Sequence, residues 1–579
     1  MRFKNIILVT SFAFLSIYLR AQTNTELSQS KTDFPTESVY IHYNSTILFS
    51  GETLYYKFYS LNNFSNKLSN ISKVGYIELV DKDKQVVFKH KIRLNRGQGY
   101  GDFLLPSDVP TGNYKLIGYT LWMSNNQENK FFEADLKIIN PYKAINETTI
   151  KNDSLSTKLK NELIANSTKN LELKLQKKIY NVRDEVLFSI INDKKIFSNI
   201  SVSVYKVNEL EASPLISAQT YRKKQLSSID HNTIYQEKII EFPEIRGEII
   251  KGTLKSDTQD VSNKKIAISI PSGGLINIVK TDSKGKFSLN VNQHYNRNEL
   301  YAKVFENDDD DYKLEIEPLF KIDYKKLNFK EFVIYESEVK KVLERSIFNQ
   351  IDNAYLFTKT DSILVQGSNL PFYDSYDLEY DLDNYNRFSD MKEVFVEIIN
   401  QAQIYKTQND NFQFSILNQK GSFDKSIPPL LVIDGIIIRD PNLLVYYNAK
   451  SIKTIKIIRS KYYLGSDIFN GVIVFQTINN DFNRKVVNSI ANKFELYDLE
   501  KIKQYKNTSY EGSLLIENNR IPDYRKQLYW NPNIKLTNSL KDISFFTSDN
   551  TGEFEIRIEG FTEQGDPVSL SSTFTVIEE

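Results

Sequence analysis

Alternation of apolar and polar positions runs through most of the chain and sorts it into strands. Between Pro35 and Tyr142 the period is the two of half-buried strands: Val39, Ile41 and Tyr43 share one face, and Leu54, Tyr56 and Phe58 share another. Val74–Val80 and Val86–Phe88 are joined through Asp81-Lys82-Asp83-Lys84, a hairpin by composition, and Pro110-Thr111-Gly112-Asn113 turns into a strand from Tyr114 to Trp122. No helical period interrupts them, so 35–142 is predicted to be a β-sandwich. Residues 143–168, rich in Asn, Ser, Thr and Lys, read as a linker. Leu171–Leu175, Tyr180–Ile191 and Ile200–Val207 predict a second sandwich in 169–240. Its tail, 209–240, is polar and poorly patterned, and loops of that length are functional or mobile. A third β-domain is predicted at 241–330, starting from Pro243-Glu244-Ile245-Arg246-Gly247.

Beyond it the pattern changes. From Ser337 to Tyr355, Val339, Val342, Leu343, Ile347 and Ile351 fit a helical period, which predicts a long helix with these residues facing the core. An aromatic and acidic stretch, Phe372–Phe388, completes a connector at 331–400. Pro428–Thr477 then carries a buried strand, Leu430–Ile433, broken by Asp434-Gly435, and a second apolar run, Ile436–Ile438. Asp440-Pro441 is an N-cap followed by proline at the first helical position, opening a short helix over Asn442–Asn448. Strands follow at Ser451–Arg459 and, after Gly471, at Val472–Thr477, so 401–480 is predicted to be a small α/β domain. Strand patterning returns in 481–579, predicted to be a separate C-terminal β-domain. The fold class is therefore mainly β: a multidomain chain of sandwiches with one α/β module.

Composition narrows the function. Hydrophobic residues make up 40% and charged residues 25%, as in folded proteins rather than disordered ones. A net charge of +1 provides no field to draw nucleic acid or anionic lipid. There is no cysteine, which removes disulfides, thiolate catalysis, cysteine metal sites and a lipid-anchor motif together. The start, with Arg2 and Lys4 before an apolar run from Ile6 to Leu19 and Ala21-Gln22 after it, has the form of a signal peptide over 1–21; an uncleaved anchor is the alternative. Export is the expectation, to the periplasm, an outer-membrane association or the cell surface.

Val432, Asp434, Gly435, Ile452, Ile455, Ile457, Asn470, Gly471, Val472 and Ile473 resemble the plug domain of TonB-dependent outer-membrane receptors over about fifty residues. A receptor's plug sits in a barrel of about 22 strands of roughly ten residues each. Only 102 residues (579 minus 477) follow Thr477 in this sequence, so a plug-like module without its barrel is expected. Asp434, Gly435, Asn470 and Gly471 are then the candidate partner-docking residues. Val39-Tyr40-Ile41-His42, Gly51-Glu52-Thr53, the Phe103–Pro106 strand end and Thr111-Gly112-Asn113-Tyr114 resemble the macroglobulin sandwich of the alpha-2-macroglobulins, without the thioester. The last strands look similar. Val279–Phe287, with Asp282-Ser283-Lys284-Gly285, resembles the carboxypeptidase-regulatory sandwich, whose turn is structural and joins two edge strands. The combination resembles exported proteins of the Bacteroidetes type.

The search for chemistry finds little. The four histidines, His42, His90, His231 and His294, form no metal-ligand spacing, and His42 and His90 read as structural residues in strands. Gly97-Gln98-Gly99-Tyr100-Gly101 lacks a following helix, and so reads as a turn or bulge rather than a phosphate loop. Asp308–Asp311 is a solvated loop or a calcium site. Asp374, Asp377, Glu379, Asp381 and Asp383, interleaved with Tyr376, Tyr380 and Tyr385, are a surface loop or a partner-facing patch. No catalytic, cofactor or metal residue is assigned, and neither nucleic acid nor a small-molecule substrate is expected as a partner. The sequence thus predicts a non-enzymatic exported scaffold with protein partners, outer-membrane barrel proteins foremost. Alternatives are a macroglobulin-like protease-binding protein, with 209–240 as bait, or a cell-surface adhesin.

Overall fold

Strands that alternate in sequence bury one face only when a second sheet covers them, and the computed structural model shows how this chain arranges that cover. It describes residues 36–125, 131–143, 150–152, 171–196, 198–228, 241–292, 295, 299–305, 312–317, 322–355, 361–364, 371–408, 410–482, 491–497, 499–510 and 521–578. The expected signal peptide, His231, His294 and Asp308–Asp311 lie outside them. Among the described residues, no helix is long and apolar enough to cross a membrane.

The first sandwich packs a sheet of Glu37–Tyr43, Thr53–Asn62 and Gln98–Leu104 against five strands in the order Ile47–Phe49, Phe132–Ile139, Gly112–Tyr119, Val74–Asp81 and Val86–Arg93. The expected hairpin forms: Leu79 pairs with Phe88, Lys84 takes φ 66°, and Asp81 accepts from the Gln85 N–H. Gly99 and Gly101 lie within a strand rather than at a turn. A Cβ on Gly101 would fall 2.5 Å from the Tyr56 hydroxyl oxygen, so these glycines let large neighbours close over the strand.

The second sandwich corrects the expected domain order. One of its sheets is Glu172–Leu175, Glu185–Ile191 and Leu540–Phe546. The other is Ile179–Asn181, Pro567–Ile577, Gly552–Thr562, Ser198–Lys206 and Gln527–Leu536. Val202 faces Ile558 on one side and Asn531 on the other. The strands expected in two domains, 169–240 and 481–579, therefore build one sandwich. Each stretch supplies only part of each sheet and cannot bury its apolar face alone. Within 209–240, expected to be a loop, Ala218–Ser228 is a helix whose Ala218, Arg222 and Gln225 are buried against both sandwiches.

Between these halves lie two inserted bodies. The third sandwich pairs Lys286–Val291, Glu248–Lys255 and Lys313–Ile316 in one sheet, and Leu275–Lys280, Lys265–Ile270, Glu299–Val304 and Asn492–Glu495 in the other. As expected, the Asp282–Gly285 turn joins two edge strands, one from each sheet. Asp282 accepts from the Lys284 and Lys286 N–H groups, and Gly285 takes φ 75°. The α/β domain has a mixed sheet in the order Leu378–Asp381, Ile452–Ile458, Val472–Thr477, Leu430–Ile433 and Ile436–Ile438, in which Leu430–Ile433 runs parallel to Val472–Thr477. Its first strand comes from the acidic stretch expected to be a surface loop, and Glu379 there pairs with Lys456 at 3.3 Å. Asp440 caps the helix Pro441–Val445 by accepting from the Asn442 N–H, and that helix is shorter than expected. Met391–Glu397, Pro441–Val445 and the Ala402–Lys406/Phe412–Ile416 hairpin cover one sheet face. Leu430, Val432, Ile458 and Val472 on the other face meet Ala267, Ile276 and Ile278 of the third sandwich.

The predicted long helix forms as Glu336–Ala354, with its faces reversed. Glu338, Arg345, Ser346 and Asn349 are buried, while Val339, Leu343 and Ile347 are 42%, 61% and 48% exposed. Its polar face is wanted by the first sandwich, which offers backbone carbonyls and a carboxylate rather than an apolar surface.

Candidate functional site

The four predicted docking residues do not form one surface. Asp434-Gly435 ends Leu430–Ile433, and Asn470-Gly471 precedes Val472, so the pairs sit at opposite ends of the parallel strand pair. Asp434, at φ 47°, turns its carboxylate inward, where it accepts from the Thr477 N–H (2.8 Å), the Thr477 hydroxyl (2.6 Å) and the Phe482 N–H (3.1 Å). Gly435, at φ 81°, lies against Pro271 of the third sandwich. Gly471, at φ 90°, packs against the Ile458 carbonyl, and Asn470 donates its N–H to the Pro428 carbonyl. These contacts are internal, and they explain the short motifs by the turns they build. Asp434→Ala is accordingly expected to destabilise the α/β domain by about 1–3 kcal/mol through the buried donors it orphans, seen as faster proteolysis of that domain.

Chemistry concentrates instead where the sandwiches meet. Beneath the reversed helix, Arg345 makes a bidentate pair with Glu52, Nη2 to Oε2 at 2.6 Å and Nε to Oε1 at 2.9 Å. It also donates to the Ile47 carbonyl at 3.0 Å and the Tyr205 hydroxyl at 2.9 Å. Asn349 donates to the Ser50 carbonyl at 2.7 Å. Next to this pair is a cavity of about 150 Å³ walled by Tyr55, Phe348, Tyr505, Tyr524 and Trp530. Glu52 belongs to the Gly51-Glu52-Thr53 motif read from the sequence. Arg345 was missed, although Glu338, Arg345 and Asn349 are spaced at helical intervals and could have been read as a second, polar face.

Between the first and second sandwiches, His42 Nδ1 lies 2.7 Å from Ser201 Oγ, a spacing that in an open cleft would suggest a base and a nucleophile. Both residues are almost fully buried, and no acid orients His42 from its Nε2 side, so the pair works as an internal tie. Burial holds the His42 ring well below its ordinary pKa, and the neighbouring Arg557 charge adds to this. Nearby Glu559 accepts from the Ala218 N–H at the start of the 218–228 helix (2.8 Å) and from Ser569 Oγ (2.7 Å); burial pushes its carboxyl up to about 7. His90 is also structural: its Nδ1 meets the Tyr56 hydroxyl at 2.6 Å, and burial lowers it to about 4.

The junction of the first and third sandwiches buries Glu78, Glu244 and Glu248. Lys89 pairs with Glu78 and Lys91 with Glu248, while Glu244 accepts only from the Tyr76 hydroxyl and the Ile249 N–H among its printed neighbours. Burial raises the Glu244 carboxyl to about 8 from an ordinary 4.5. The folded protein therefore keeps a proton that the unfolded chain gives up at 4.5. Stability falls as pH rises from 4.5 to 8 and then levels off. Glu244→Gln is expected to raise the melting temperature above pH 8 and to leave it unchanged below pH 4.5, as read by thermal unfolding across pH.

Among the described residues, no group of three or more His, Cys, Asp or Glu could hold a metal ion. No protein-family model matches the chain, and no curated protein matches it. Among solved structures it is similar to the Escherichia coli alpha-2-macroglobulin activated by porcine elastase, at 9% identity and a TM-score of 0.24 over 94% of this chain and 44% of that one. It is also similar to a Salmonella alpha-2-macroglobulin mutant, at 10% identity and a TM-score of 0.23 over 95% and 40%, and to the Escherichia coli adhesin FdeC, at 8% and 0.13 over 48% and 63%. The chain thus spans less than half the length of those macroglobulin chains. Superpositions at these TM-scores define no shared arrangement of domains, so the functional reading rests on the chain's own residues.

Proposed function

We propose that the protein is a non-enzymatic, exported scaffold that binds other proteins at an outer-membrane transport or assembly complex, with the α/β domain as its docking module. The observation that carries this reading is how that domain is held. One face of its sheet is fixed to the third sandwich through Val432, Ile437 and Val472, its Ile437 N–H donates to Ser269 Oγ, and Asp467 pairs with Lys265 at 2.7 Å. A domain seated so firmly offers its outer side. There Val396, Tyr446 and Tyr463 are 78%, 72% and 70% exposed, and these side chains replace the four turn residues as the partner-facing candidates. Since the inner sheet face is already covered, the module meets a partner from outside rather than entering a barrel lumen. The protease-binding alternative has less support, because the helix Ala218–Ser228 places the middle of the expected bait stretch between two sandwiches.

The test is affinity purification of a tagged full chain from mildly solubilised envelopes. Barrel proteins at stoichiometric yield, lost on Tyr446→Asp with Tyr463→Asp, are expected. Recovery of the chain alone, or with a protease, contradicts the proposal.

A further inference from the structure

Lys57 is the least expected residue at the junction of the first and second sandwiches. It lies in the strand Thr53–Asn62 and is 1% exposed, and among the described residues no carboxylate forms an ion pair with it. An isolated buried ammonium is costly, so such lysines are normally paired or neutral. What Lys57 meets is an amide: its Nζ is 2.7 Å from Oδ1 of Asn533, on the strand Gln527–Leu536 that returns from the far end of the chain. The rings of Tyr59 and Tyr100 lie 5.6 and 5.7 Å from Nζ and close the pocket. Burial pulls the amine down to about 7, so much of it is the neutral, nucleophilic form at neutral pH.

The surroundings of Asn533 fit the same chemistry. Its Oδ1 also accepts from Asn199 Nδ2 at 3.4 Å, a donor placed where negative charge would develop on that oxygen. The carboxamide is hydrogen-bonded to the Tyr100 hydroxyl, which itself donates to the Lys503 carbonyl at 3.1 Å. A neutral amine, a polarised carboxamide and a hydroxyl on that amide are thus held together in a dry interface.

We propose that Lys57 and Asn533 are joined by an intramolecular isopeptide bond that ties the first sandwich to the second. The Lys57 Nζ lone pair forms a bond to Cγ of Asn533, and the electron pair of the C=O moves onto Oδ1, beside Asn199. The tetrahedral intermediate collapses, the Cγ–Nδ2 bond breaks, and the nitrogen leaves as ammonia. The proton it needs is the one the attacking amine gives up, relayed through the Tyr100 hydroxyl. Nothing is oxidised or reduced, and ammonia is the sole product lost. Fixed contact supplies the effective concentration that an amide–amine reaction lacks in solution. The bond would join positions 476 residues apart and close the chain on itself.

The experiment is tryptic mapping of the purified full chain by mass, after incubation at mildly alkaline pH to complete the reaction. The expected result is a branched peptide containing Lys57 and Asn533, lighter than its two parts by one ammonia, with no cleavage after Lys57. Tyr100→Phe is expected to slow its formation by about 10²-fold, the usual worth of a positioned proton donor. Trypsin cleavage after Lys57, together with an Asn533 peptide of unaltered mass, overturns the proposal. That readout needs only the unmodified sequence, so it does not depend on whether a variant folds. An unchanged rate in the Tyr100 variant overturns the assigned role of the phenol.

Discussion

Arg345→Met is expected to lower the stability of the folded chain by about 3–5 kcal/mol, the usual cost of removing one partner of a buried ion pair. The reason is what it leaves behind. Arg345 is 4% exposed and supplies both bonds that neutralise Glu52, and without it the carboxylate keeps the Phe49 N–H at 2.9 Å as its remaining printed hydrogen bond. The Ile47 carbonyl and the Tyr205 hydroxyl lose a donor as well. Because the reversed helix is held by this polar face, its amides should also exchange faster in the variant. Pairing the change with Glu52→Gln removes the stranded charge, so the double variant is expected to lose less than Arg345→Met alone; chemical denaturation of the two variants measures the difference.

Phe561→Ala is expected to cost about 3–5 kcal/mol, the range for removing a large aromatic side chain from a core. Its position makes the loss informative. Phe561 is in the strand Gly552–Thr562 of the second sandwich, yet its ring packs in the core of the first, 5.7 Å from the Tyr40 ring and 5.5 Å from that of Tyr59. It is fully buried, and the cavity left by alanine lies between two bodies that share few ways to collapse. The variant should therefore lose protection in Glu37–Tyr43 as well as in its own strand. Loss confined to the second sandwich would show that the two bodies are energetically separate.

How much of this was legible in the sequence depends on the range of the interaction. Local signals carried well. The Asp81–Lys84 hairpin, the Asp440-Pro441 helix start and the Asp282–Gly285 turn follow from a few adjacent residues whose side chains satisfy their own backbone, and the structure contains all three. Strand existence was equally readable, because alternation reports burial on one side. Alternation does not say which strand lies alongside, so Ser198–Lys206 gave no sign that Gln527–Leu536 and Gly552–Thr562 would flank it. The helix Glu336–Ala354 shows a second limit. Val339, Leu343 and Ile347 predicted the correct period and the wrong face, because the surface awaiting the helix was polar. The docking residues failed for a related reason. Asp434, Gly435, Asn470 and Gly471 are distinctive because turns demand them, and a turn residue looks the same in a sequence whether or not a partner uses it.

The central claim is that the first and last parts of the chain build one sandwich and so make the protein a single scaffold rather than a string of separate domains. Hydrogen exchange of the full chain across a denaturant series tests it most directly. The account predicts that Glu185–Ile191, Ser198–Lys206, Gly552–Thr562 and Pro567–Ile577 lose protection together, at one denaturant concentration. Separate transitions, with the strands before residue 207 opening independently of those after 526, would contradict it.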